Sequence, residues 1–452
     1  MKRSRQAWVG GASVLALFWG GLPFAAAETL TDSVKTALAS NPTVESTVHN
    51  RQSIDSEVRR ARGLYLPQFD VRAGVGPEYS ENSLIAFQRG SSRHIRQELS
   101  AVLAERIWDG GEADAEVDRQ LGRSKSASFR VRESAEFTAL DAVEGHLDVV
   151  RLRRILKISE DNVAVHRALL DRVERRAGGG AGRAADVAQA QSRLEDATSA
   201  LEETRGLLRE AEARYRNVVG TPPGTLEDAT VPRAALPTDE DASIKLAMEH
   251  NPTIAIKDAD ITAARAEVDS ATSRYKPKLS FELSGNHDRN VNGFPGGDNE
   301  ARALLVLRWN LYAGGSDQAN RQAAIGRVAQ AKDDWMVAMR KAEQDTRRAW
   351  ANYDAAEKRV AQLQNAVRHN DEVRKAYDQQ FQVGQRSLLD LLDAQNEYFS
   401  SQVRWVTAQE TAVFAAHRIL ALDGMLLATL DVPPPPEADY TKRAVVPADA
   451  GK

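Results

Sequence analysis

The chain has no cysteine. That excludes disulfide staples, thiolate metal sites and thiol catalysis, and it removes the residue to which a thioether-linked lipid anchor attaches. Only 6% of residues are aromatic, too few for a thick globular core, while Ala, Gln, Glu and Arg abound, a mixture suited to long solvated helices. The charge balance is mildly acidic, net −4, so no basic footprint for nucleic acid is present. The histidines are scattered with no His-x-x-x-His pair beside a glutamate, so no zincin-type site is present. His146 and His166 lie in helical stretches and read as surface or seam residues rather than ligands. No serine sits in a Gly-x-Ser-x-Gly elbow. The glycines from Gly178 to Arg183 lack the Lys-Ser/Thr end of a phosphate loop and follow a helix rather than a strand. No enzyme activity and no cofactor are expected. Long apolar runs are also missing: after Glu28 nothing approaches the roughly 20 apolar residues of a membrane-spanning helix. A membrane role must therefore use strands.

The chain opens with a secretory pattern. Lys2, Arg3 and Arg5 form a charged start, Ala7 to Phe24 an apolar run, and Ala25-Ala26-Ala27 a small-residue cleavage site. Residues 1–27 read as a signal peptide, leaving Glu28 as the new amino terminus.

The remainder repeats itself. Ser33-Val34-Lys35-Thr36-Ala37-Leu38 and Asn41-Pro42-Thr43 recur as Ser243-Ile244-Lys245-Leu246-Ala247-Met248 and Asn251-Pro252-Thr253. Further along, Gly110-Gly111 matches Gly314-Gly315, Asp186-Val187 matches Asp390-Leu391, and Ala190-Gln191 matches Ala394-Gln395. Two copies of one structural unit are expected, residues 28–220 and 241–430. Between them lies a Pro-rich linker, 221–240, and after them a flexible tail, 431–452, that carries Pro433 to Pro436 and then polar residues.

Each unit reads alike. One helix, starting near Thr31 or Asp239, ends before Pro67 or Pro277. Two alternating segments follow. Phe69, Val71, Ala73, Val75 and Tyr79 share a face opposite Asp70, Arg72, Gly74 and Glu78. Ile95, Leu99, Ala101, Leu103 and Ile107 alternate with polar neighbours, and the second unit repeats the pattern at Leu279, Phe281, Leu283 and at Ala303, Leu305, Leu307, Trp309 and Leu311. Such alternation over about 10 residues suits strands that cross an outer membrane; two ordinary surface hairpins would show it too. The polar connections, Ser80 to Arg93 and Asn286 to Glu300, read as long outer loops. After each Gly-Gly pair a proline-free stretch could run roughly 65 residues, about 100 Å of helix, with a narrow apolar seam of coiled-coil type. A glycine-bearing turn and a returning helix complete a hairpin in each unit.

Four strands cannot close a transmembrane barrel, and unclosed edges in lipid would leave backbone groups unsatisfied. The barrel must be shared between chains. The sequence therefore describes an α+β membrane protein, with a non-pore periplasmic coiled-coil scaffold as the competing architecture.

The junctions Ile107-Trp108-Asp109-Gly110-Gly111 and Leu311-Tyr312-Ala313-Gly314-Gly315, the stretch Val383-Gly384-Gln385-Arg386-Ser387 with Leu388-Leu389-Asp390-Leu391-Leu392-Asp393-Ala394, and the repeated Asn-Pro-Thr resemble those of the TolC outer-membrane efflux family over residues 28–430. The resemblance implies a homotrimer with a shared twelve-stranded β-barrel in outer-membrane lipid and an α-helical periplasmic tunnel. It also implies a periplasmic adaptor (membrane fusion protein) and an inner-membrane ABC or RND transporter as partners. Its flavour is that of type I protein secretion, with small-molecule or drug efflux through an RND pump as the alternative. By the same resemblance Asp390 and Asp393 form an acidic selectivity ring, and Arg386, Asp186 and Phe381 belong to the periplasmic gate. Either aspartate could instead complement the positive end of the returning helix. Phe381 stands where the best-known member of that family has a tyrosine and has no hydroxyl to offer Asp186, so closure would lean on packing. Gly178, Gly179, Gly180 and Gly384 are candidate tip hinges.

Overall fold

A computed structural model describes residues 27–81, 91–180 and 182–441. The signal segment up to residue 26, most of the first outer loop (82–90), Ala181 and residues 442–452 lie outside the described residues. The first half runs α1 (Leu30–Ser40), α2 (Pro42–Arg62), β1 (Gln68–Ser80), β2 (Ser92–Trp108), α3 (Glu112–Gly178) and α4 (Ala184–Val219). The second runs α5 (Glu240–His250), α6 (Pro252–Ser273), β3 (Lys278–Arg289), β4 (Gly297–Arg308), α7 (Ser316–Gln382) and α8 (Leu388–Leu422), closing with α9 (Leu426–Thr429).

Where one opening helix is expected, each half has two, broken at Asn-Pro. Proline suits the first turn, where its missing N–H is not needed. The Asn41 and Asn251 side chains accept from the backbone of Thr43 and Thr253, each at 2.9 Å, which caps the new helix. The same amides donate outward, Asn41 to the Val218 carbonyl at 3.0 Å and Asn251 to that of Leu422 at 2.8 Å. The repeated motif is thus a clasp that ties the helix break to the far end of the returning helix of its own half.

α3 and α7 are 67 residues each, about 100 Å at the α-helical rise. Each passes from the sheet to the hairpin tip, packing first on the short helices and then on its returning helix, which spans 36 residues in α4 and 35 in α8. The junction with the sheet is set by Asp109. Its carboxylate accepts from the backbone of Gly111, Glu112 and Ala113 at 3.0, 3.0 and 2.8 Å, capping α3, while Gly110 and Gly111 take left-handed backbone that other residues adopt at a cost.

The main core lies between the sheet and the tips, where Val34, Val143, Tyr215, Val219, Leu420 and Leu426 are fully or nearly fully buried. His146 is also buried, between Ser33 at 2.9 Å and the Glu227 carbonyl at 2.8 Å, and burial lowers its pKa. Glu136 and Asp423 are buried carboxylates, each pushed up to about 7 by desolvation. The stretch from Asp431, expected to be flexible, packs into this region as far as it is described. Val432 and Ala438 are buried, Gln52 donates to Glu437 at 3.1 Å, and Tyr440 meets Phe129 with ring centroids 5.9 Å apart. Prolines cannot continue a helix, but they leave an extended strap able to lie on one.

Candidate functional site

The sheet has the order β1-β2-β3-β4, every neighbour antiparallel. Its register sorts the two faces. Phe69 pairs with Leu103 and Val71 with Ala101; Leu103 continues to Leu283, and Leu283 to Ala303; Phe281 pairs with Leu305 and Leu279 with Leu307. All of these lie on one face. On the other, Arg96 donates to Glu78 at 2.7 Å and pairs with Glu98, Arg308 meets Glu282 at 3.1 Å, and Arg302 pairs with Glu300. Within the single chain the apolar face is uncovered: Val75 is 77% exposed and Leu305 67%. Fully burying such a side chain is worth about 1.5–3 kcal/mol, so a row of them left in water opposes folding. A wall with hydrocarbon on one side and water on the other resolves it. β1 and β4 are the two outer strands, each paired on one side only.

The sequence places a loop over Asn286 to Glu300, but pairing extends much further. Asn286 pairs with Glu300 and His287 with Asn299, and the turn closes when Asn290 donates its backbone N–H to the Gly296 carbonyl at 2.8 Å. Both faces are polar there, so alternation gives no signal.

At the opposite end the two hairpins meet in an apolar cluster. Leu169 and Val173 of α3, Ala190 of α4, Phe381 of α7, and Leu391 and Leu392 of α8 are buried together. Arginines of the first hairpin surround it. Arg172 reaches Asp378 at 3.0 Å. Arg176 lies over the Phe381 ring, 4.9 Å from its centroid, and donates to the Phe381 and Gln382 carbonyls at 3.3 and 3.2 Å. Those carbonyls end α7 and have no partner within their helix. Arg193 of α4 reaches Asp393 at 3.1 Å.

Asp390 sits in the first turn of α8, its N–H bonded to the Ser387 cap at 3.2 Å and its carboxylate accepting from the Ser387 hydroxyl at 2.8 Å. The contacts of Arg386 lie within the second hairpin. Arg386 stacks on Tyr377 at 4.1 Å, donates to Gln380 at 3.2 Å and approaches Asp390 at 3.7 Å. Asp186 lies in the first turn of α4, its N–H on the Arg183 carbonyl at 3.1 Å. Asp390, Asp393 and Glu397 line one cleft of about 240 Å³ between α7 and α8 with Tyr377 and Asn370. Glu397, one turn beyond Asp393, and the three collar arginines are absent from the sequence reading. Spaced charges at i,i+4 read there as solvated surface; the repeat of arginine at 172 and 176 is the signal that was available.

Among the glycines, Gly178 ends α3, Gly179 follows as its cap, and Gly180 and Gly384 hold left-handed backbone. At Gly384 the α7 carbonyls are closed by the Gln385 N–H on Gln380 at 2.8 Å and the Gly384 N–H on Phe381 at 3.1 Å, a Schellman ending.

A family model described as outer membrane efflux protein matches residues 34–221 and 243–425. The outer membrane efflux protein BepC of Brucella suis is 25% identical over 411 residues, 89% of this chain and 87% of that protein. The pyoverdine export outer membrane protein OpmQ of Pseudomonas aeruginosa is 26% identical over 309 residues, 67% of this chain and 64% of that one. The crystal structure of the CmeC outer membrane channel of Campylobacter jejuni superposes with a TM-score of 0.76 at 14% identity, covering 88% of this chain and 86% of that one.

Proposed function

The chain belongs to the outer membrane efflux protein family, and from that premise we propose that three copies close their sheets into one barrel and their hairpins into one duct. As a family member the chain is a transport protein of the outer membrane that extends into the periplasm and works with periplasmic and inner-membrane components in export. It is not an enzyme. The observation that carries the assembly is the amphipathic four-stranded sheet with two outer strands. Barrels of the outer membrane have at least about eight strands, so one copy cannot span alone, and three supply twelve. α7 directly follows the edge strand β4 and leaves Met336 and Val337 exposed, a flank suited to the next copy.

Small molecules delivered by an RND pump through an adaptor are the favoured cargo, ahead of the protein secretion expected from sequence. The family is described by efflux, and the name of one relative specifies pyoverdine export. Asp390 and Asp393, joined by Glu397, form the acidic lining of the entrance. Arg386 and Asp186 flank it, Phe381 seals it by packing, and the turns at Gly178, Gly179, Gly180 and Gly384 let the tips separate.

Because the chain has no cysteine of its own, paired cysteines placed on β1 and β4 test the assembly cleanly. The expected result is a crosslinked ladder ending at three copies in outer-membrane fractions. Crosslinks confined to single chains would refute it. In a host lacking its own outer-membrane duct, restored drug efflux with an RND pump and adaptor supports the cargo assignment; restored protein export with an ABC exporter alone would reverse it.

A further inference from the structure

We propose that Arg193 determines the ion selectivity of the resting entrance by neutralising Asp393, so that separating the hairpins and making the entrance acidic are one event. This rests on the channel reading above. Arg193 belongs to α4 in the first hairpin and Asp393 to α8 in the second, with Nη2 and Oδ1 3.1 Å apart. The pair spans the joint that opening must break.

Energy alone gives the pair a small role in holding the tip shut. Both side chains are partly exposed, Asp393 at 57%, and such a pair contributes little to stability. The buried apolar cluster behind it, with Phe381 and Leu392, is worth several times more. What the pair controls is charge. An arginine at contact distance cancels most of the field of one carboxylate in the cleft, and screening removes that cancellation once the partners are more than about 8 Å apart.

Asp390 behaves differently. Its nearest cation, Arg386 at 3.7 Å, lies in the same hairpin and travels with it, so the compensation of Asp390 is indifferent to opening. The cross-hairpin ion pairs share one polarity: Arg154 to Glu410 at 3.0 Å, Arg172 to Asp378 at 3.0 Å and Arg193 to Asp393 all place the cation on the first hairpin and the acid on the second. Separation leaves the arginines behind and uncovers carboxylates on the hairpin that carries the acidic cleft.

The test is the reversal potential of purified protein in planar bilayers under a KCl gradient. Arg193→Gln is expected to raise the cation-to-anion permeability ratio of the resting channel about threefold, and Arg193→Lys to leave it near wild type. In an Asp393→Asn background, Arg193→Gln is expected to change nothing, because its effect runs through that one carboxylate. An unchanged ratio in a conducting Arg193→Gln channel, or an equal shift in both backgrounds, overturns the proposal. If neither wild type nor the Phe381→Ala channel passes current, the channel reading fails, and the proposal with it.

Discussion

The Arg176 guanidinium lies 4.9 Å from the centre of the Phe381 ring while donating to the backbone carbonyl of the same residue. One side chain thus covers the apolar seal and caps the helix that bears it. The seal carries the larger share: truncating a buried Phe costs about 3–5 kcal/mol, against about 1–2 kcal/mol for a partly exposed cation–π contact. Phe381→Ala should therefore loosen the tip more than Arg176→Ala. Amide exchange across residues 377–392 checks the order, and faster exchange in the arginine variant would reverse it.

The Asn clasps should matter in both halves of the chain. Asn251→Asp keeps the capping oxygen but loses the donor to Leu422, setting a carboxylate against a carbonyl. We expect a loss of about 1–3 kcal/mol, seen as a lower melting temperature in detergent, with Asn41→Asp behaving alike. A melting temperature unchanged in both would show that the clasp is incidental.

Asp423 should make stability depend on pH. It is fully buried, with the Ser243 hydroxyl 2.9 Å from both carboxylate oxygens, and desolvation raises its pKa from 3.8 to about 7. The folded state then keeps a proton that the unfolded chain has released. Stability is greatest below the ordinary carboxylate value, falls as pH rises from 3.8 towards about 7, and levels off above. Glu136 acts in the same direction. Asp423→Asn should flatten part of that slope in denaturation curves taken between these limits; an unaltered slope would assign the pH dependence elsewhere.

The sorted faces of the sheet give opposite outcomes for the same new charge. Val75→Arg places a cation on the apolar face, at about 2–4 kcal/mol if that position sits mid-membrane, and should impair assembly. Asn286→Arg lies on the polar face beside Glu300 and should be tolerated. The yield of heat-modifiable oligomer in outer-membrane fractions distinguishes them, and equal yields would contradict the assignment of faces.

Much of this was legible in the residues. Strict alternation placed the strands and their faces, and the doubled Gly-Gly placed the strand-to-helix junctions. What was missed follows from features that hydropathy does not encode. Asn41 and Asn251 look like loop residues until their amides are seen reaching a distant helix end. The strand residues from Asn286 to Arg289 are polar on both faces, so pairing there depends on backbone bonds. The prolines after Val432 suggested disorder because they break helices, yet an extended strap needs no helix. At the tip, Asp390 and Asp393 were singled out by resemblance alone, whereas the contacts of Arg172, Arg176 and Arg193 depend on how two hairpins far apart in sequence pack together.

The most direct measurement is single-channel recording of the purified, detergent-extracted protein in planar bilayers, beside the Asp390→Ala/Asp393→Ala double variant. Discrete openings that prefer cations, with the preference lost in the variant, are expected of a duct with an acidic entrance. A folded oligomer that inserts yet passes no current, even after Phe381→Ala loosens its tip, would contradict the channel and leave a coiled-coil scaffold in its place.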